Sequence, residues 1–215
     1  MTTDLAQTAL KRSDAYRLLA ACFYEPEREM FIEENLCANL ATLMEAICPP
    51  AVELCREMGK GIEANSQDEL LLEYTALFLG PFSIPAQPFA SVYLDKERAL
   101  MGDSTMEVKK IYAKNKVEHD VPGPPDHIAI ELEFMSLLEG RLSQALAEAK
   151  QAELAELNAT RAHFFHKFLA PWAPKLGKAM VDNTEMPFYR ALGQCLMAFI
   201  AEEKKNIASS EPPAQ

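Results

Sequence analysis

The sequence predicts an all-α protein, an irregular bundle of about ten helices of unequal length. Apolar residues recur at helical spacing along most of the chain, and these stripes are cut at proline, glycine and capping residues. No alternating apolar and polar run is long enough for a strand, and no motif repeats at a fixed period. Only eight glycines in 215 residues point the same way, because turn-dense β folds use more.

A first helix is expected from Asp4 to Tyr24: Ala15, Leu18, Leu19, Cys22 and Phe23 share one face, and Glu25-Pro26 ends it. A second carries Leu36, Leu40, Leu43 and Ile47 up to Pro49-Pro50, and a short third runs from Ala51 to Met58 before Gly59. Ser66 with Glu69 forms a capping box that starts a fourth, whose face is Leu70, Tyr74, Leu77 and Phe78 and whose stop is Gly80-Pro81. The stretch from Phe82 to Tyr93 is kept extended by proline, yet it is too apolar for an ordinary solvated loop. It either packs on the body or forms a binding surface.

Ser104 with Glu107 reads as another capping box, opening a short helix through Ile111 and Tyr112. The polar, proline-bearing segment 115–125 reads as a hinge or linker, which would permit helix exchange between two chains; a monomer is the other expectation. A long helix is expected from Pro125 to Ala149, and another from Gln151 to Leu169. After Pro171-Trp172-Ala173-Pro174 comes a short one to Val181, and a last helix from Pro187 to Lys204 has Phe188, Leu192, Cys195, Leu196 and Phe199 on one face. One helical domain over 1–208 holds all of this, with 209–215 as a disordered tail.

Composition narrows the function. The formal net charge of -11 speaks against nucleic acid or an anionic membrane as partner and suits a cationic one. Met1 to Arg12 has no secretory pattern, and no stretch reaches the ~18 apolar residues of a membrane span, so a cytoplasmic protein without stable membrane insertion is expected. The five cysteines include no C-x-x-C pair and read as reduced packing residues.

The chain's chemistry gathers around residues 123–134, where a proline-stiffened loop hands over to a helix. Pro at the first helical position wastes no hydrogen bond, and Asp126 in the first turn would face the positive end of the helix dipole. His127, Glu131, Phe134 and Leu138 fall on one stripe. His127 and Glu131, joined by His163 and His166, have spacings a metal site could use, but no E-x-x-H repeat occurs and hydrogen bonding at a helix start accounts for them as well. Asp126, His127 and Glu131 could support acid–base chemistry in a small metal-dependent hydrolase; no nucleophile stands out, and Ser91 lacks a nucleophile elbow. The Gly59-Lys60-Gly61 run lacks phosphate-loop spacing. A third reading is peptide recognition: a groove floored by Leu77, Phe78, Phe89 and Tyr93 and rimmed by Glu73, Asp126 and Glu131. The plain alternative is that these stripes are core.

Two segments carry a family resemblance. Glu73-Tyr74-Thr75-Ala76-Leu77-Phe78-Leu79-Gly80-Pro81 followed by Pro88-Phe89-Ala90-Ser91-Val92-Tyr93, and Pro124-Pro125-Asp126-His127 running into Glu131-Leu132-Glu133-Phe134-Met135, resemble the TorD/DmsD family of molybdoenzyme chaperones in order and spacing. His166-Lys167-Phe168-Leu169-Ala170-Pro171-Trp172 is similar more loosely. The resemblance implies an all-helical cytoplasmic chaperone, not an enzyme and without a cofactor of its own. It would bind the twin-arginine signal peptide and the apo form of a molybdopterin oxidoreductase, assist cofactor insertion and delay export until folding is complete. The peptide-site positions it implies are Tyr74, Leu77, Phe78, Pro88, Phe89, Tyr93, Pro124, Asp126, His127 and Glu131. One departure is Gln87-Pro88-Phe89, where relatives often carry tryptophan or a Pro-Tyr pair.

Overall fold

The structure is a computed structural model that describes residues 2–80, 84–95, 100–118 and 123–210. Among these residues it contains eleven α-helices and no strand. The first five are α1 (Thr2–Ala21), α2 (Arg28–Glu33), α3 (Leu36–Ile47), α4 (Val52–Ala64) and α5 (Gln67–Phe78). The short α6 (Ser91–Leu94) and α7 (Asp103–Lys114) lead to the long α8 (Ile128–Ala147). After it come α9 (Gln151–Phe164), α10 (Ala173–Asn183) and α11 (Pro187–Ser210). The all-α irregular bundle expected from the sequence is what forms.

Helix α8 is the central element. It is buried on most of its circumference, and α1 lies antiparallel along it. Two serines stitch that contact: Ser13 Oγ donates to Ser136 O at 2.9 Å and Ser136 Oγ returns to Ser13 O at 2.7 Å. On its other side Phe134 meets Tyr112 of α7 and Phe164 of α9, with ring centroids 4.7 Å apart in both pairs. Such aromatic contacts add roughly 0.5–1.5 kcal/mol each beyond the area they bury.

Several boundaries differ from expectation, each for a packing reason. The third expected helix was to stop at Gly59, but α4 continues through Gly59 and Gly61. A Cβ on Gly61 would lie 2.6 Å from the backbone nitrogen of Phe188, so glycine here allows α4 to meet the start of α11. That contact outweighs the helix cost of glycine, about 1 kcal/mol. The same logic joins α10 to α11, where Gly177 and Gly193 face each other's carbonyls. The Ser66–Glu69 capping box forms, but the one expected at Ser104 and Glu107 does not. Asp95 from the preceding segment supplies the acceptor instead, taking the Ser104 N–H at 3.2 Å and its hydroxyl at 2.9 Å. Glu107 turns to Lys167.

The expected 151–169 helix widens into a π-turn over Phe165–Leu169, closed by Ala170 N donating to Phe165 O at 2.8 Å. The wider turn puts Phe164, Phe165, Phe168 and Leu169 all into the core. Helix α11 runs to Ser210, past the expected end at Lys204 and into the first residues assigned to a tail; 211–215 lie outside the described residues, as do Pro81, Phe82 and part of the expected hinge, 119–122. All five cysteines are buried free thiols, and Cys55 and Cys195 bring their sulfurs to 3.7 Å.

Candidate functional site

The segment 84–95 is fastened to the start of α8 by a short backbone bridge. Ile128 N donates to Pro88 O and Ala90 N to Asp126 O, both at 2.9 Å, so Phe89 and His127 pair as an isolated antiparallel bridge. Ala86 N adds a bond to Leu77 O at the end of α5. Gly123 sits just before the bridge with φ +115°, a conformation that side-chain-bearing residues rarely adopt. The two sequence motifs, separated by about forty residues along the chain, therefore do meet.

His127, not Pro125, opens the helix. Its Nδ1 accepts from Ala129 N at 3.2 Å, which makes it the N-cap and places Pro125 and Asp126 before the first turn. The imidazole lies between two rings, stacked on Tyr24 at 6.1 Å and edge-on to Phe89 at 5.3 Å. Burial pushes its pKa down from 6.5 to about 4, and the neighbouring Asp126 offsets only part of this. A neutral imidazole is what the cap requires, since Nδ1 must keep its lone pair.

Asp126 and Glu131 do not rim a groove as expected. Both are fully buried. Asp126 Oδ2 accepts the N–H of Ser91 at 2.8 Å and so holds α6 in place. Glu131 Oε2 accepts the Trp172 indole N–H at 3.0 Å, and Trp172 in turn stacks on Tyr93 at 5.4 Å. Among the described residues Asp126 Oδ1, Glu131 Oε1 and Ser91 Oγ have no hydrogen-bond partner. Burial raises the Glu131 pKa well above the usual carboxylate range; the indole bond opposes this and the charge of Asp126 adds to it. Burial thus favours the protonated form of Glu131, and its inward position keeps it away from an arginine at the surface.

Six of the ten positions drawn from the motifs, Tyr74, Leu77, Phe78, Pro88, Asp126 and Glu131, are interior. Phe89, Tyr93, Pro124 and His127 are half-buried and reach the surface. Glu73, also read as a rim residue, is taken by the Thr184 hydroxyl. His163 and His166 are exposed beside the π-turn. Asp126 and Glu131 hold inward contacts while His127 packs between Tyr24 and Phe89, so the three do not form one acid–base centre. Among the described residues no cluster of three or more histidine, cysteine or acidic side chains has metal-holding geometry.

The structure adds residues the motifs did not single out. Tyr24, just past α1, is exposed, covers His127 and donates its hydroxyl to Glu133 at 3.0 Å. The chain then continues through Glu25 and Pro26 into a cleft of about 820 Å³ between α2, α4 and α5. Glu25, Glu27, Glu29, Glu63 and Glu69 line it, all exposed. Arg28, the one cation among its described lining residues, is held by the carbonyls of Ile62, Asn65 and Glu63 at 3.1, 2.8 and 3.2 Å. Glu69 Oε2 accepts from the backbone N–H and hydroxyl of Ser66, which hold its pKa below the usual value. An aromatic shelf thus leads into an acidic cleft. The signal for the cleft was the run Glu25-Pro26-Glu27-Arg28-Glu29, but only the fold brings Glu63 and Glu69 to it.

The fold therefore places the Tyr24–His127–Phe89 ring cluster next in the chain to an acidic cleft. The chain matches the family model described as nitrate reductase delta subunit over residues 33–177. It is 30% identical over 201 residues to the Tat proofreading chaperone DmsD of Salmonella typhi, covering 91% of each chain. It is 28% identical over 204 residues to the chaperone protein TorD of Vibrio cholerae, covering 90% of each. A crystal structure described as a redox enzyme maturation protein of Archaeoglobus fulgidus shares the fold, with a TM-score of 0.54 at 21% identity over 88% of this chain and 93% of that one. The chain belongs to the nitrate reductase delta subunit family, with the TorD and DmsD chaperones among its relatives. Among the described residues no helix is long and apolar enough to cross a membrane.

Proposed function

We propose that this protein is a non-catalytic cytoplasmic chaperone for a molybdopterin oxidoreductase, binding the client's twin-arginine signal peptide and its apo form so that cofactor insertion precedes export. The observation that carries this reading is the Tyr24–His127–Phe89 shelf, half-buried but open to solvent at Tyr24, one residue along the chain from the acidic cleft. A twin-arginine peptide offers two guanidinium groups followed by an apolar run, and carboxylates beside an apolar shelf match that order. The exposed Glu133 and the cleft glutamates take the arginines. The buried Asp126 and Glu131 act indirectly, by holding the segment 84–95 that presents Phe89. Relatives named Tat proofreading chaperones support the same class of client.

Calorimetric titration of a synthetic twin-arginine signal peptide tests this. The combined Glu27→Gln, Glu29→Gln and Glu63→Gln variant should bind about tenfold more weakly, because exposed ion pairs contribute only ~0.2–1 kcal/mol each. Tyr24→Ala should cost about 1–2 kcal/mol as a partly buried aromatic anchor. Unchanged affinity in both variants would remove this surface as the site, and absence of binding to the native protein would remove the function.

A further inference from the structure

The outer surface of α7 reverses the charge of the molecule. Its buried side carries Thr105, Val108 and Tyr112, and the opposite side exposes Met106, Lys109, Lys110, Ala113 and Lys114. At helical spacing Met106 lies between Lys109 and Lys110, with Lys114 one turn further on. The chain bears a formal charge of -11, yet residues 100–118 hold four lysines against three acids, Asp103, Glu107 and Glu118. Glu107 is engaged by Lys167 from the adjacent π-turn, and its pKa is lowered by that bond and by nearby Lys110 and His163.

Large apolar side chains accompany the lysines. Leu100, Met101 and Met106 are 52%, 61% and 49% exposed, a concentration that costs solvation unless something covers it. Met101 also has φ 61°, a left-handed backbone unusual for an unbranched apolar residue. Lysines beside exposed methionine and leucine make a surface that can set apolar side chains into the headgroup layer while the ammonium groups reach lipid phosphates. The buried side of α7 holds Tyr112 against the Pro125 carbonyl at 3.2 Å, so the exposed side faces away from the corner that carries His127.

We propose that this α7 surface is a reversible docking site for an anionic phospholipid bilayer. The whole-chain charge opposes such contact at long range, but salt limits that repulsion to about 8 Å under physiological conditions, while the lysines act at contact. Docking by this side leaves the aromatic shelf and acidic cleft open, and it involves peripheral contact without a membrane-spanning segment.

The test is sedimentation of the full chain with vesicles of phosphatidylcholine alone and of phosphatidylcholine mixed with phosphatidylglycerol. The native chain should sediment with the mixed vesicles, be released by high salt, and stay in solution with the neutral ones. Combined Lys109→Glu, Lys110→Glu and Lys114→Glu substitution should lower partitioning by more than about tenfold. Met106→Ser, which removes no charge, should lower it by about threefold. Far-ultraviolet circular dichroism and signal-peptide titration of both variants should match the native chain, separating this site from the peptide site. Equal sedimentation with both vesicle types, or undiminished sedimentation of the folded triple variant, would overturn the proposal. So would retention on an immobilised acidic protein without any vesicle binding.

Discussion

Two buried acidic centres in this bundle are built in opposite ways. At one end of α8, Glu131 accepts an indole N–H and lies near a second carboxylate, Asp126, and among the described residues no cation hydrogen-bonds to it. Along the same helix, Glu139 is bonded to Arg161 at 2.9 Å, while Glu203 takes Arg12 at 3.2 Å and the Tyr16 hydroxyl at 3.1 Å. Burial raises the pKa of both Glu131 and Glu139, but Arg161 opposes the rise at Glu139. The paired centre joins α1, α8, α9 and α11 into a scaffold. The unpaired one lies at the edge of the candidate site, where a carboxyl without a counter-ion is most stable when it is neutral.

Breaking the paired centre should have the largest effect. Arg161→Met leaves Glu139 buried without its cation and should destabilise the protein by about 3–5 kcal/mol in urea unfolding. At the unpaired centre the expected sign is reversed. Glu131 holds its proton more tightly when folded than when unfolded, so its contribution is fully present below the unfolded value of about 4.5 and is lost as pH rises toward the folded value. Glu131→Gln, which keeps the shape without the charge, should stabilise by about 1–2 kcal/mol at pH 8 and by much less at pH 5. A variant less stable than native at both pH values would show that Glu131 has a cationic partner.

At His127 the effect runs in the opposite direction. Its folded pKa lies below its unfolded value, so stability is retained above about 6.5 and declines as pH falls toward 4. The decline should be absent in His127→Asn, whose short side chain also caps helices. Comparing thermal midpoints of the two proteins between pH 7 and pH 4.5 isolates the histidine. Parallel curves would mean that the imidazole does not sense this burial.

The unpaired centre was partly legible before the fold was known. Glu131 shares its stripe with Phe134 and Leu138, and that stripe is interior, so the spacing that made Glu131 look like a rim residue equally marked it as buried. A helix stripe identifies residues that share a direction, not whether that direction faces water. The glycine stop expected at Gly59 failed similarly, since α4 continues through it and uses Gly61 for a close approach to Phe188. The capping box at Ser66 was readable because all its atoms lie within four residues. The start of α7 was not, since its acceptor, Asp95, comes from outside the helix.

By itself the sequence determined the helical class, most element centres, and the two motifs whose order marks the family, because these depend on periodicity and on local backbone chemistry. Only the tertiary structure decided that the motifs meet through the Phe89–His127 bridge, that Asp126 and Glu131 point inward, and that Tyr24 and a glutamate cleft form the surface beside them. Burial and charge environment are set by contacts between residues far apart in the chain, and no single stretch encodes which of its faces another helix will cover.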